Sequence, residues 1–269
     1  KREGVEFYPG VSYRHLLVLR GGYGEGVECK PPHDMVGDSV SEYMPSGYGE
    51  DGVETAGLLN ELMVESRRIL GEHEVNLKRV SKGLSPANMA WIWGGGGRPR
   101  FQSFRERHGL DGALISAVDL LKGTARHLGM EVVEVEGATG YLDTNYEGKA
   151  QAAIEALERN DLVYVHVEAT DEAGHEGSPG KKMQAIEDID SRLLKPLLEG
   201  LSGDYCILLC PDHATPCEVG THVDDLVPYV VYKSGFDFEG CGRFTEMDVG
   251  EKKVGVREGF ELIDFMIEL

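Results

Sequence analysis

The feature that most constrains the fold is the second half of the chain, where short apolar segments alternate with helical ones. Five segments read as strands: Gly112–Ala117, Met130–Val135, Asp161–Ala169, Asp204–Cys210 and Leu226–Lys233. Four others have helical apolar spacing: Val118–Leu128, Glu147–Arg159, Lys181–Leu201 and Gly259–Leu269. Nearly continuous apolar strands are typical of a sheet covered on both faces. The pattern therefore predicts an α/β domain with a mostly parallel sheet flanked by helices.

Two of these helices carry finer signals. Thr144 and Glu147 have the spacing of a capping box at the start of the second helix. The long segment Lys181–Leu201 is predicted to turn one apolar face to the core. That face comprises Met183, Ile186, Ile189, Leu193, Leu194 and Leu197.

The first part of the chain follows a different pattern. A strand is predicted at Val11–Arg20, a helix at Val53–Gly71 and a short strand at Asn88–Trp93. The last of these runs into four consecutive glycines, Gly94–Gly97, which mark a turn or hinge. We therefore predict two domains, residues 1–97 and 98–269.

Composition excludes several classes of function. A formal net charge of −20 argues against a nucleic acid or an anionic membrane surface as the main partner. No apolar run reaches the roughly 18 residues that a membrane span needs. Five cysteines without a CxxC pair indicate reduced thiols in a cytosolic protein. Cys206 and Cys210 are expected to be buried structural thiols, and a zinc site with Cys217 is the alternative.

Residues of metal-ligand type follow two of the predicted strands. Asp171 and His175 come after Asp161–Ala169, and Asp212 and His213 follow Asp204–Cys210, with His222 nine residues further on. Ligands of open α/β sheets bind beyond the carboxyl ends of the strands, so these side chains converge if the two strands are neighbours. Carboxylates and imidazoles suit Mn²⁺ or Zn²⁺, and one or two ions are predicted here. Ordinary turn residues are the alternative for either motif alone.

Other candidates have plain structural explanations. Arg14 and His15 suit an edge strand, and His33 and Asp34 suit an Asx turn. Arg98, beside the glycine run, suits either a solvated surface or a clamp on a carboxylate or phosphate. Lys122 near a helix start suits the surface.

Longer segments resemble a known family. Asp171-x-x-x-His175, then Asp212-His213 and His222, resembles the metal motifs of the alkaline phosphatase superfamily. The chain is similar over nearly its whole length to the archaeal-type cofactor-independent phosphoglycerate mutases. The resemblance rests on the segments EFYPGVSYRHLLVLRG, PPHD, PANMAWIWGGG, ISAVDLLKG, GATGYLDTNYEGKA, HVEATDEAGHEG and PDHATPCEVGTH.

The resemblance implies an alkaline-phosphatase-like domain with an inserted transferase-type domain. Residues 1–97 would be the insert, partial at its start, and residues 98–269 the C-terminal part of the phosphatase-type domain, whose N-terminal part is not matched. The same resemblance implies a reversible exchange of 3-phosphoglycerate and 2-phosphoglycerate through a phosphoserine, without 2,3-bisphosphoglycerate. Two Mn²⁺, Mg²⁺ or Zn²⁺ ions would be held, one by Asp171, His175 and His222, and the other by Asp212 and His213.

The resemblance also implies residues that contact the substrate. Lys122 would contact the phosphoryl group, and His33 and Asp34 the glycerate hydroxyls. Arg14, His15 and Arg98 would contact its anionic groups. The implied partner is a small-molecule phosphoglycerate substrate, and the implied location is the cytoplasm. The resemblance is compatible with a homo-oligomer but does not fix the oligomeric state.

One departure from the family bears on activity. No serine stands in the context of the family's nucleophile, and its first metal-binding Asp is not matched either. We expect these residues to lie outside the sequence given. The alternatives are another metal-dependent phosphomonoesterase or phosphotransferase of the superfamily, or an inactive metal-binding homologue.

Overall fold

A computed structural model describes residues 2–10, 14–35, 37–237, 240, 242–251 and 255–269, without the side chains of His33, Asp34 and Glu251. The chain divides into two compact units, Lys1–Pro99 and Arg100–Leu269. None of the described helices combines the length and the apolar character that crossing a membrane requires.

In the part that the structure describes, the first unit contains two small antiparallel ribbons, two α-helices and two short 3₁₀ turns. Strand β1 (Val5–Pro9) pairs with β2 (His15–Leu19), and β3 (Val27–Glu28) pairs with β4 (Ser46–Gly47). Helix α1 (Gly49–Glu72) and helix α2 (Glu74–Ser81) follow. The predicted helix at Val53–Gly71 is confirmed, while β1 and α2 were not predicted.

Helix α1 supplies the core of this unit. Its apolar stripe puts Leu58, Leu59 and Met63 in the interior, and Met63 has no exposed surface. Ile69 lies beyond the stripe and is exposed. The helix therefore packs through its first four turns.

The predicted strand Asn88–Trp93 is wrong. This stretch carries no strand, although it is held against the unit by side chains. The Trp91 indole donates to the Lys30 carbonyl, and the buried Asn76 amide bonds both the carbonyl and the N–H of Ala87. Apolar alternation without a partner ladder thus yields an extended, anchored segment instead of a strand.

The second unit is built around a parallel sheet. After helix α3 (Phe104–His108) come β5 (Gly112–Ile115), α4 (Asp119–His127), β6 (Glu131–Val133), α5 (Tyr146–Leu157) and β7 (Leu162–Val165). The strand order is β6-β5-β7, all parallel. The central strand β5 is buried throughout, and alanines 150, 153 and 156 of α5 are buried as well. The predicted α/β pattern is confirmed here.

The remaining elements follow β7. Helix α6 (Ala169–His175) and helix α7 (Pro179–Asp188) lead through a π-helical turn, Ile189–Leu194, into α8 (Lys195–Gly200). Strand β8 (Cys206–Leu209) pairs antiparallel with β9 (Val230–Lys233), and α9 (Glu246–Glu251) and α10 (Leu262–Ile267) close the described chain. The pairings of the described residues do not join β7 to β8. The predicted convergence of the metal motifs assumed that these two strands are neighbours.

Two helix predictions need correction. The cap of α5 is Asn145, whose side chain accepts from the Gly148 N–H, while buried Thr144 accepts from the Thr139 N–H. In the long helical segment, Met183 and Ile186 are exposed, whereas Ala185 and Leu193 are buried. The π-helical turn rotates the helix faces, because its wider repeat breaks the 3.6-residue period. One straight apolar stripe therefore does not run along this segment.

The expectation of buried thiols on β8 is also wrong. Cys206 is only partly buried, and Cys210 is exposed. Strand β8 is partly exposed along its whole length, because its only described ladder is with β9.

Candidate metal centre

Helix α6 brings two of the predicted ligands onto one face. Asp171 and His175 are four residues apart, which places their side chains one above the other on a helix. Asp171 Oδ2 lies 3.2 Å from His175 Nε2. The helix begins just beyond the carboxyl end of β7, where ligand sites of such sheets form.

The third ligand arrives from the loop after β8. His222 Nε2 lies 3.1 Å from His175 Nε2 and 3.5 Å from Asp171 Oδ1. The loop is closed by a bridge between Ala214 and Val223. It is also tied to α6, because the Gly220 carbonyl lies 2.9 Å from His175 Nδ1. A carbonyl only accepts, so His175 Nδ1 carries the proton and Nε2 keeps its lone pair.

These three donors fit a divalent metal ion. Ligand atoms about 2.0–2.1 Å from a tetrahedral ion are about 3.3 Å apart. The two imidazole nitrogens are 3.1 Å apart, and each lies close to a different oxygen of Asp171, His175 Nε2 at 3.2 Å from Oδ2 and His222 Nε2 at 3.5 Å from Oδ1. These separations are near that value, so both carboxylate oxygens face the position that an ion would take. Elsewhere in the described chain no other group of three or more His, Cys, Asp or Glu comes as close together. The cysteine-based zinc site is therefore not formed by the described residues.

A second pair of donors lies beside the first. Asp212 Oδ2 lies 3.3 Å from His213 Nε2, again the separation of two ligands on one ion. The His213 and His222 rings stack with centroids 3.8 Å apart. The two predicted motifs thus come together, although β7 and β8 are not paired.

Sequence reasoning missed Thr215 and Gly174, which join the two loops. The Thr215 hydroxyl lies 2.5 Å from Asp171 Oδ1 and 3.2 Å from His213 Nδ1. Gly174 lets this loop approach α6, since a Cβ atom there would overlap the Thr215 carbonyl oxygen. No periodicity marks a loop threonine, so only the tertiary structure shows it.

His166 was also missed, although it lies at the carboxyl end of β7. Its Nδ1 is 3.4 Å from the hydroxyl of Ser116, which is buried at the end of β5. Burial lowers the pKa of His166, and the carboxylates of Asp212 and Asp171 oppose that shift. A sequence signal exists, because alternate residues of a strand share a face, which places His166 with Leu162 and Tyr164.

Lys149 lies almost wholly inside the protein, with 1% of its surface exposed. Its ammonium donates to the His166 carbonyl at 3.0 Å, which anchors the end of β7. Burial lowers its pKa to about 8, and nearby Glu168 opposes that shift. A sequence signal exists, because Lys149 falls on the buried stripe of α5 with Tyr146 and Ala153.

The predicted substrate residues lie in varied settings. Lys122 Nζ pairs with Glu134 at 2.5 Å in the second unit. In the first unit, Arg14 and Arg98 are exposed, and His15 Nδ1 accepts from the Gly10 N–H. His33 and Asp34 stand in the 3₁₀ turn Pro32–Met35, and their side chains lie outside the described part of the chain.

Comparison with known proteins identifies the family of the chain. Residues 35–264 match the Metalloenzyme superfamily. The chain is 49% identical to a curated protein of Methanosarcina acetivorans, "2,3-bisphosphoglycerate-independent phosphoglycerate mutase", over 100% of this chain and 67% of the relative. It is 47% identical to a Geobacter sulfurreducens protein named as a probable enzyme of that kind, over 98% of this chain and 65% of the relative.

Solved structures show the same fold. A protein from Pyrococcus horikoshii superimposes with a TM-score of 0.72 at 31% identity, covering 81% of this chain and 58% of that chain. A cofactor-independent phosphoglycerate mutase from Thermoplasma acidophilum superimposes with a TM-score of 0.61 at 25% identity, covering 100% and 66%. This chain spans about two thirds of the length of its curated relatives. The family resemblance seen in the motifs is confirmed: the chain belongs to the 2,3-bisphosphoglycerate-independent phosphoglycerate mutases of the metalloenzyme superfamily.

Proposed function

We propose that the protein interconverts 3-phosphoglycerate and 2-phosphoglycerate with two divalent metal ions and without 2,3-bisphosphoglycerate. The observation that carries this proposal is the donor cluster of Asp171, His175 and His222, whose separations suit one ion. The curated relatives bear the name of this activity. A glycolytic role in the cytoplasm follows from that reaction.

The proposed division of labour assigns the metals to the second unit. Asp171, His175 and His222 would hold one ion, and Asp212 and His213 would contribute to the other. Such ions, when bound, lower the pKa of a nucleophilic hydroxyl and stabilise the charge of a transferring phosphoryl group. Mn²⁺, Mg²⁺ and Zn²⁺ all accept carboxylate ligands, and the imidazoles favour Mn²⁺ or Zn²⁺.

The chain's own residues hold these ligands in place. The Gly220 carbonyl orients His175, and Lys149 anchors the end of β7 from which α6 departs. Ser116 is buried and bonded to the Val118 N–H, so it has no access to substrate. The phosphoserine of the proposed reaction would therefore form on a serine other than Ser116.

The first unit, in this proposal, is the inserted transferase-type domain. Arg14, His15 and Arg98 would contact the anionic groups of the substrate, with His33 and Asp34 at its hydroxyls. In a chain of net charge −20, a small anion depends on such placed cations and on metals, because the overall field repels it. Lys122 would contact the phosphoryl group after leaving Glu134.

The test measures both directions of the reaction in the protein as its gene encodes it. Chelation is expected to abolish interconversion, and Mn²⁺, Mg²⁺ or Zn²⁺ to restore it. His222→Ala is expected to lower kcat/KM by more than about 100-fold. His127→Ala serves as the matched control, since His127 is an exposed histidine on α4.

Two outcomes would contradict the proposal. Release of free phosphate without interconversion would assign the protein to the phosphomonoesterases of the superfamily. Full activity of the enzyme in the presence of a chelator would show that the reaction does not depend on divalent metal ions.

A further inference from the structure

Thr215 lies between the two sets of metal donors and touches both. Its side chain is buried, with 4% of the residue exposed. The hydroxyl oxygen is 2.5 Å from Asp171 Oδ1 and 3.2 Å from His213 Nδ1. Asp171 belongs to the donor set with His175 and His222, whereas His213 pairs with Asp212.

The direction of these two hydrogen bonds follows from the groups involved. An ionised carboxylate only accepts, so the single hydroxyl hydrogen of Thr215 is donated to Asp171. The remaining lone pair must then accept from His213, and Nδ1 of that ring carries the proton. Nε2 of His213 keeps its lone pair, and it is the atom that lies 3.3 Å from Asp212 Oδ2.

Thr215 is itself held in one position. Lys182 Nζ on α7 donates to its carbonyl at 2.7 Å. Gly174 on α6 packs against the residue so closely that a Cβ atom there would lie 2.9 Å from Thr215 Cγ2. Because these contacts fix the backbone and the methyl group of Thr215, rotating its hydroxyl away from Asp171 and His213 would be energetically costly.

We propose that Thr215 is a positioning residue that couples the two metal sites, by donating to Asp171 and by fixing the tautomer of His213. Partners of this kind orient the ligands and typically change metal affinity by about 10–100-fold. A displacement of the Asp171 carboxylate at one metal site is transmitted to the His213 ring at the other through the Thr215 hydroxyl. This inference rests on the proposed metal-dependent function.

The test compares Thr215→Val, Thr215→Ala and Thr215→Ser in the protein as its gene encodes it. Val keeps the shape without the hydroxyl, Ala lacks the hydroxyl in a smaller volume, and Ser retains it. Thr55→Val is the matched control. Thr55 is 3% exposed, and its hydroxyl also donates once, to the Asp51 carbonyl, and accepts once, from the Gly24 N–H.

The first readout is titration of the metal-free proteins with Co²⁺, followed by its ligand-field absorption. Val and Ala are expected to weaken Co²⁺ binding about 10–100-fold and to alter the spectrum. Ser is expected to bind within about threefold of wild type, and Thr55→Val to match it. Unfolding curves of the metal-free proteins show which variants fold.

The second readout is the ¹⁵N spectrum of the His213 ring in the metal-free proteins, which distinguishes the Nδ1–H and Nε2–H tautomers of a neutral imidazole. The wild type and the Ser variant are expected to show His213 protonated at Nδ1. The Val and Ala variants are expected to populate the Nε2–H form, because the acceptor that selects the tautomer is gone. A purely structural role would leave this tautomer unchanged.

The outcomes separate the two proposals. The role of Thr215 would be overturned if Thr215→Val or Thr215→Ala kept the wild-type Co²⁺ affinity and His213 tautomer. It would also be overturned if Thr215→Ser lost Co²⁺ affinity as much as these two variants. Either result would leave the proposed metal-dependent function standing. A wild-type protein that binds no Co²⁺, Mn²⁺ or Zn²⁺ would instead overturn the metal-dependent function.

Discussion

Gly174 on α6 and Thr215 in the loop after β8 approach so closely that no side chain fits between them. A Cβ atom on Gly174 would overlap the Thr215 carbonyl oxygen and lie 2.9 Å from its Cγ2 atom. Since Asp171 and His175 stand on the same helix, this contact sets the distance between both groups of metal donors.

Gly174→Ala is therefore expected to displace the Thr215 loop and to weaken metal binding. Overpacking of this kind costs about 1–3 kcal/mol of unfolding free energy. Gly123→Ala on α4 is the control, because outside the neighbouring helix backbone nothing lies within 4 Å of the position that its new methyl group would take. Alanine also favours helix. Urea unfolding and Co²⁺ titration check both variants. Equal behaviour of the two would show that the close approach is unimportant.

Asp171→Asn is expected to weaken binding of the first metal equivalent by more than about 100-fold. The change keeps the side-chain shape but removes the charge that faces His175 Nε2 and His222 Nε2 at 3.2 and 3.5 Å. Metal affinity is measured by calorimetry with Mn²⁺ and Zn²⁺. Asp225→Asn, at an exposed position, removes the same charge and should bind like wild type. An unchanged affinity of the Asp171 variant would place the metal elsewhere.

Asp212→Ala is expected to lower metal content without removing the metal held by Asp171, His175 and His222. The reason is that Asp212 pairs with His213 and is not part of the first cluster. Elemental analysis after dialysis measures the stoichiometry, with Asp225→Ala as the control. Unchanged stoichiometry would argue against Asp212 as a ligand.

Lys149 is expected to make stability depend on pH in a defined window. Its pKa is lowered to about 8 in the folded protein, against 10.5 for an ordinary lysine. Between these values the unfolded state binds more protons, so the unfolding free energy rises with pH. Wild type should therefore gain stability relative to Lys149→Met by up to about 3 kcal/mol from pH 8 to 10.5.

Urea unfolding across that pH range measures the Lys149 effect. The control is Lys195→Met on α8, where the lysine side chain is 68% exposed. The control variant shows how much of any pH-dependent difference comes from replacing an exposed lysine. Parallel curves for wild type and the Lys149 variant would show that the ammonium is not held in a buried site.

The local sequence pattern was sufficient to predict many of the strands and helices of the second unit. The apolar runs predicted β5, β6, β7 and β8 to within a few residues, because a short apolar run between turn residues is typical of a strand. Of these four strands, only β5 is buried throughout. The spacing of Asp171 and His175 also determined that they share a face of α6, since a helix turns once every 3.6 residues. The predictions that failed depended on partners, as at Asn88–Trp93, where no ladder forms in the described chain.

For the candidate metal centre as well, some features follow from the local sequence and others only from the tertiary structure. The sequence by itself determined which residues are of metal-ligand type and that Asp171 and His175 share one face of a helix, because both facts are local. Only the tertiary structure decided that His222 meets them at 3.1 Å from His175 and that Thr215 joins their loop to His213. Those contacts depend on how the loop from Asp212 to His222 folds back onto α6. Loop paths are set by single contacts, such as the one between Gly174 and Thr215, and no periodicity records them.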